Sequence, residues 1–227
     1  MREALQYSAW TVGLCLNFLV ISALARGVYR HYPFVFAYSV ASVLSIVVEI
    51  AAKSFPPAVR AGYYWTDEVV LDVLVFCVVI AFIDDAARQS QHKAIERRWL
   101  ILGSALICAV SYAAHRSSHF NRQMTLISRD LNICAVILDL ILWSLLLAVR
   151  RPERRLLLLS GGLGLQLTGA IMGEQLLQLS RGLYAVGTLI EVVTSLLGTY
   201  IWWRALRAVP ILNRWPKEKD PSEEIAG

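Results

Sequence analysis

The sequence predicts an all-α membrane protein, built as a bundle of seven transmembrane helices. The chain has 227 residues, of which 57% are hydrophobic and only 17% are charged. This composition excludes the soluble classes of protein. Seven apolar runs approach or exceed the roughly 20 helical residues that cross a bilayer, and the connections between them are too short for a soluble domain. The runs are 5–25, 34–52, 62–83, 99–114, 124–149, 156–179 and 183–204.

The first run is predicted to be an uncleaved span rather than a signal peptide. The N-terminal side offers only Arg2, which Glu3 offsets, whereas Arg26 and Arg30 follow the apolar run. Positive charge after the run holds that end of the span on the cytoplasmic side.

The second and third runs carry carboxylates toward the hydrocarbon region. Glu49 continues a polar stripe that begins at Ser42 and Ser45. Glu68 and Asp72 are four residues apart, so one helical face carries both. An ionised group inside a span costs roughly 2.5–3.5 kcal/mol, and these acids therefore need polar surroundings.

The fourth run is the shortest, and His115 and His119 follow it in a His-x-x-x-His pattern. On a continuing helix this spacing suits zinc, with an acid as third ligand. The segment is equally typical of an exposed loop. The two histidines are therefore only weak metal candidates, and no metal or cofactor is predicted.

The last three runs add further polar and small residues at helical spacing. Their polar candidates are Arg129, Asn132, Asp139, Glu174 and Glu191. Gly169 and Gly173 form a small-xxx-small pair, which predicts the close approach of another helix.

Lysine and arginine are distributed unequally between the two sides of this bundle. The N-terminus and the even-numbered connections carry six of them, while the odd-numbered connections and the C-terminal stretch carry fifteen. Because positive charge stays in the cytoplasm, we expect an external N-terminus and a cytoplasmic C-terminus. The net charge of +5 then reflects topology and contact with anionic lipids at the cytoplasmic face, not binding of nucleic acid.

The composition changes near the end of the chain. Residues 1–208 form the predicted transmembrane domain, whereas Pro210, Pro216 and Pro221 interrupt a charged stretch. Residues 209–227 are therefore predicted to be a disordered cytoplasmic tail.

The intramembrane acids are the candidates for function. The predicted ligand-binding residues are Glu49, Glu68, Asp72, Arg129, Asn132, Asp139, Glu174 and Glu191. Apart from Arg204 at the cytoplasmic end of the last run, Arg129 is the one basic residue within the runs, and it can pair with only one or two carboxylates, Asp130 among them. The remaining acids must be protonated, hydrated in a cavity or neutralised by a cation.

Two interpretations of these acids stay open. They are either hydrogen-bonding groups that hold the helices together, or the lining of an outward-facing cavity for a small cationic or polar ligand. The second interpretation predicts one shared cavity. Its expected lining acids are Glu68, Asp72, Glu174 and Glu191.

The sequence lacks the residues that several enzyme and cofactor functions would require. A retinal Schiff base needs a lysine in the seventh run, and haem needs histidines within the bundle. Ser111 and Ser160 have no neighbouring base that the sequence identifies. We therefore predict that the protein is not an enzyme.

The stretch 30–38 (RHYPFVFAY), together with 64–68 (YWTDE), resembles uncharacterised multi-pass membrane proteins of bacterial genomes. The resemblance implies a location in the bacterial inner (cytoplasmic) membrane and carries no activity.

Three functions are compatible with these features. We favour a sensor or receptor-like protein with an acidic ligand cavity and a signalling partner at the membrane. A non-catalytic subunit or scaffold of a larger membrane complex, and an ion or solute transporter, are the alternatives.

Overall fold

The computed structural model describes residues 2–52, 56–89, 120–148, 153–179 and 183–207, with isolated positions at 54, 103, 109, 110 and 113. Regular structure in these ranges is helical throughout. The helices are α1 Arg2–Ala25, α2 Pro33–Ala52, α3 Pro57–Gln89, α4 Phe120–Ala148, α5 Arg154–Leu179 and α6 Tyr184–Arg207, with a 3-10 turn at Val28–Arg30.

Six of the seven predicted runs correspond to these helices. The predicted fourth span, 99–114, lies almost entirely outside the described residues, as does the predicted tail, 209–227. Helix α3 is longer at both ends than the predicted run 62–83. Hydropathy marks only the apolar part of a helix, whereas backbone hydrogen bonding continues into polar sequence.

Five of the helices are long and apolar enough to cross a membrane. These segments are Tyr7–Ala25, Pro33–Ala52, Ile127–Leu147, Arg154–Gly173 and Ala185–Arg207. Helix α3 is not among them, because acids lie at both ends of its apolar stretch. The all-helical bundle and its membrane character agree with the prediction at this level.

The six described helices close into a ring. Each helix packs against the next one in sequence, and α6 returns to pack against α1. Chain reversal at Gly27, whose φ of 115° is in the left-handed region, separates α1 from the 3-10 turn. Glycine adopts this conformation without the steric cost that a Cβ would add.

The two ends of the ring differ in chemistry. We call the end where α2 finishes and α3, α4 and α6 begin the acidic end, and the opposite end the basic end. Most side chains buried toward the basic end are apolar, and the largest are Leu24, Phe82, Ile83, Leu142, Leu146, Leu156, Leu159, Trp202 and Leu206. The packed core therefore fills one half of the bundle.

Helices α5 and α6 approach most closely through glycines. A Cβ added at Gly162 would lie 2.7 Å from Trp202 Cδ1, and one added at Gly173 would lie 3.0 Å from the Gly187 carbonyl oxygen. Gly169 packs directly on Thr194. The close approach predicted from Gly169 and Gly173 is thus present, with α6 as the partner.

Candidate functional site

A cavity of about 620 Å³ opens at the acidic end, between α2, α3, α4, α5 and α6. Its volume is within the 300–1,000 Å³ that small-molecule pockets occupy. The lining residues are Tyr38, Ser45, Glu49, Ala52, Tyr63, Asp67, Glu68, Leu71, Asp72, Val75, Asn132, Leu163, Gln166, Leu167, Ala170, Glu191 and Ser195.

The cavity is strongly acidic. Five carboxylates line it, namely Glu49, Asp67, Glu68, Asp72 and Glu191, and no lysine, arginine or histidine is among the described lining residues. Negative charges that share one cavity repel one another, and a cation placed between them lowers their electrostatic energy.

Most of the acids predicted to share one cavity do so. Glu68, Asp72 and Glu191 line it together, and Glu49 and Asn132 join them. Glu174 lies on α5, but its side chain is outside the described residues. The two weak metal candidates, His115 and His119, are also outside them.

Arg129 does not line the cavity. Its Nη2 lies 3.9 Å from Asp130 Oδ1, the simplest of the predicted pairings. Arg129 therefore pairs with its neighbour on α4.

Asp139 is likewise off the cavity. It follows Asn132 by two helical turns on the same face, which places it about 10 Å further into the bundle. Only 5% of the Asp139 surface is exposed, and its Oδ2 packs against Gly164. The missing side chain of this glycine is what leaves room for the carboxyl group.

Ser128 of α4 lies within hydrogen-bond distance of two of the cavity acids. Its Oγ lies 2.6 Å from Asp72 Oδ2 and 3.1 Å from Glu68 Oε1. A hydroxyl group donates one proton, so Ser128 can donate to only one of these carboxylates at a time. The Glu68–Ser128–Asp72 cluster therefore concentrates negative charge on the α3–α4 side of the cavity.

Asp67 also lines the cavity, although it was not among the predicted ligand-binding residues. The Ser45 hydroxyl of α2 donates to Asp67 Oδ2, whereas Glu68 points toward α4. Successive helical residues are about 100° apart, so neighbouring acids on α3 reach the helices on either side. In the sequence, the polar stripe of α2, which includes Ser45, could have indicated that a polar residue of a neighbouring helix lies opposite it.

Two tyrosines add aromatic surface to the acidic lining. Tyr38 and Tyr63 both line the cavity, and the Tyr38 ring packs edge-on against Trp202 with centroids 5.6 Å apart. Aromatic faces next to carboxylates are the combination that recognises organic ammonium groups.

The inner wall of the cavity is less polar. Leu163, Leu167 and Val75 line it there, and Gln166 donates from Nε2 to Thr199 Oγ1 at 3.2 Å. Beyond these residues lies the buried apolar half of the ring. The cavity is thus a pocket that ends on packed side chains.

Comparison with known protein families, curated proteins and solved structures finds no match to this chain. Within the described ranges, no group of three or more histidine, cysteine or acidic residues is arranged to hold a metal ion.

Proposed function

We propose that this protein is a receptor-like membrane protein that binds a small organic cation, of the amine or ammonium class, in its acidic cavity. The observation that carries the proposal is the composition of the lining, which has five carboxylates and no basic side chain among its described residues. A bound cation would relieve the repulsion among these acids.

The size and lining of the cavity favour an organic cation over a bare metal ion. A volume of about 620 Å³ far exceeds that of a single ion. The tyrosine faces and the leucine side chains would contact the carbon skeleton of an amine, while Asp72 and Glu191 would meet its charge.

The packed apolar half favours binding over passage through the bundle. A transport path needs a continuous polar route toward the basic end. Here large apolar side chains and Trp202 make up most of the buried packing, with only isolated polar groups such as Asp139, Ser160 and Thr199 among them. A receptor needs only an opening on one side. In our proposal the cavity faces outward from the bacterial inner membrane, and the basic end faces a cytoplasmic partner.

The test is ligand-dependent thermal stabilisation of the purified full-length protein. A series of ammonium ions of increasing size, from tetramethylammonium upward, would be compared with uncharged alcohols of matched shape. We expect the cations to raise the unfolding midpoint, because a ligand at 100 times its Kd adds about 2.7 kcal/mol of stability. The alcohols should not.

Charge-removing variants identify the site. Asp72→Asn and Glu191→Gln should each weaken cation binding about tenfold or more, a loss of about 1.4 kcal/mol, without destabilising the empty protein. Asp84→Asn is the matched control, since Asp84 lies on the same helix but toward the basic end. Equal stabilisation of all three variants would overturn the proposal, as would a series in which no cation stabilises the wild type.

A further inference from the structure

A second pocket lies at the basic end, between the C-terminal parts of α1 and α6. Its volume is about 390 Å³, and it is separate from the acidic cavity. Ser22 and Arg26 of α1 face Arg207 of α6 across it, and Leu19 and Trp203 form apolar walls.

The charge of this pocket is opposite to that of the cavity. Arg26 and Arg207 are both exposed at its mouth, and no carboxylate is among its described lining residues. Both helices end here, and the carbonyl groups at helix C-termini repel anions. Attraction for an anion must therefore come from the two guanidinium groups, whose planar donors suit a phosphate.

The Arg207 side chain is already positioned by an aromatic neighbour. Its Cζ lies 5.2 Å from the centroid of the Trp203 ring. A cation–π contact of this kind orients the guanidinium group at modest energy and leaves its N–H groups available to a ligand. The indole also offers a flat apolar surface beside the charge.

The apolar walls favour a lipid over a free anion. Leu19 is 44% exposed and its neighbour Phe18 is 58% exposed, so this face of α1 presents large apolar side chains outward. On a membrane-spanning helix such a face meets acyl chains. A phosphate with chains attached would satisfy the arginines and the apolar walls together.

We propose that the pocket between α1 and α6 binds one anionic phospholipid. Arg26 and Arg207 hold the headgroup phosphate, and Leu19 and Trp203 contact the acyl chains. The site differs from general attraction of basic loops to an anionic leaflet, because it requires these two arginines in particular. It is also independent of the cation proposal.

The test measures retention of lipid by the full-length protein. Wild-type protein would be reconstituted with equal amounts of phosphatidylglycerol and phosphatidylcholine and examined by native mass spectrometry. We expect one retained phosphatidylglycerol, and a preference that falls about 10- to 30-fold in the Arg26→Gln/Arg207→Gln variant. The Arg26→Lys/Arg207→Lys variant should show an intermediate preference, because lysine keeps the charge but not the planar donors.

Arg30→Gln is the matched control. Arg30 is exposed on the adjacent 3-10 turn, where its Nε donates to the Tyr29 hydroxyl, and it does not line the pocket. An equal loss of preference in Arg30→Gln would overturn the specific site, leaving only general surface charge. Absence of any preference in the wild type would overturn it as well.

Two further measurements separate a lipid from a soluble anion. Phosphatidylglycerol with brominated chains should quench the fluorescence of Trp203, seen as quenching that Trp203→Phe removes. Inorganic phosphate at millimolar concentration should not displace the lipid. Displacement by phosphate, or a quenched fraction of the total tryptophan fluorescence that Trp203→Phe leaves unchanged, would contradict the assignment to a phospholipid.

Discussion

At the scale of single residues, Ser128 is a neutral side chain that lies between two of the cavity acids. Its hydroxyl lies within hydrogen-bond distance of both Asp72 and Glu68 but has one proton to donate. A cation bound in the cavity would lie near both carboxylates and reduce the repulsion between them. Ser128 is thus part of the electrostatic balance although it carries no charge.

Replacing Ser128 with alanine should therefore destabilise the empty protein more than the cation-bound protein. Loss of one buried hydrogen bond costs about 1 kcal/mol. We expect the unfolding midpoint to fall by about 2–4 °C without ligand, and by less with a saturating ammonium ion. Thermal unfolding followed by circular dichroism would measure both values.

Ser144→Ala is the matched control for this prediction. Ser144 lies on the same helix, is exposed, and donates only to the Leu140 carbonyl oxygen of its own helix at 2.9 Å. Its replacement should change stability by no more than about 0.5 kcal/mol. A Ser128→Ala midpoint equal to that of Ser144→Ala would show that the hydroxyl has no such role.

At the scale of helices, the α5–α6 pair determines the shape of the bundle. Gly162 and Gly198 allow the two backbones to approach, and Trp202 Nε1 donates to the Leu159 carbonyl oxygen at 2.8 Å. Close backbone approach is a common source of helix association in membranes, where lipid is as apolar as the side chains. The pair positions Gln166 and Glu191 on the cavity wall.

Gly162→Ala should consequently disrupt this contact. The added Cβ would lie 2.7 Å from Trp202 Cδ1 and 2.9 Å from the Gly198 carbonyl oxygen, and the carbonyl cannot move without its helix. We expect a loss of about 1–3 kcal/mol, as for other overpacked cores. Unfolding in mixed detergent micelles would measure it.

Gly62→Ala provides the matched comparison. Gly62 is in helix α3, and nothing lies within 4 Å of a Cβ added there. Alanine is the better helix former by about 1 kcal/mol, so this variant should be neutral or slightly stabilised. Equal effects of the two substitutions would mean that α5 and α6 do not pack in this way.

The helices were largely predictable from the sequence, and the arrangement of their faces was not. Long apolar runs gave the positions of the six described helices, and the four-residue spacing predicted that Glu68 and Asp72 share a face. Which face meets which neighbour depends on the rotation of each helix in the ring. The sequence therefore contained no direct signal for the contact between Ser128 and Asp72. Asp139 was included in the binding set because it continues the polar stripe of Arg129 and Asn132, and this stripe does not show how deep the cavity reaches.

At the scale of the whole molecule, the ring places two opposite chemistries at its two ends. Helix α6 runs between them, from Glu191 at the acidic cavity, through the buried Trp202, to Arg207 at the basic pocket. Tyr38 contacts Trp202 from the cavity side. In the proposed function, a ligand in the cavity and a lipid or partner at the basic end would therefore contact the same helix.

The same asymmetry makes the membrane orientation testable. Ser128 of α4 meets Glu68 of α3, and both lie in the N-terminal halves of their helices, so α3 and α4 run in the same direction. An additional span between them, as predicted at 99–114, would produce this geometry. Because fifteen basic residues lie on the predicted inner side against six on the outer side, we expect the basic end to face the cytoplasm.

Cysteine labelling in a background without the four natural cysteines would examine this orientation. Ser54, exposed between α2 and α3, and Glu153, exposed before α5, mark the acidic and basic ends. We expect a membrane-impermeant maleimide to label Ser54→Cys in intact cells, and Glu153→Cys only after permeabilisation. Ser117→Cys should behave like Ser54→Cys, and Ser222→Cys should behave like Glu153→Cys.

Three other outcomes would contradict this orientation. If Ser54→Cys and Glu153→Cys are labelled from the same side, a ring that spans the membrane is excluded. If only Glu153→Cys is labelled in intact cells, the acidic cavity faces the cytoplasm. Labelling of Ser117→Cys and Ser222→Cys from one side would leave an even number of spans between them and exclude the seven-helix topology.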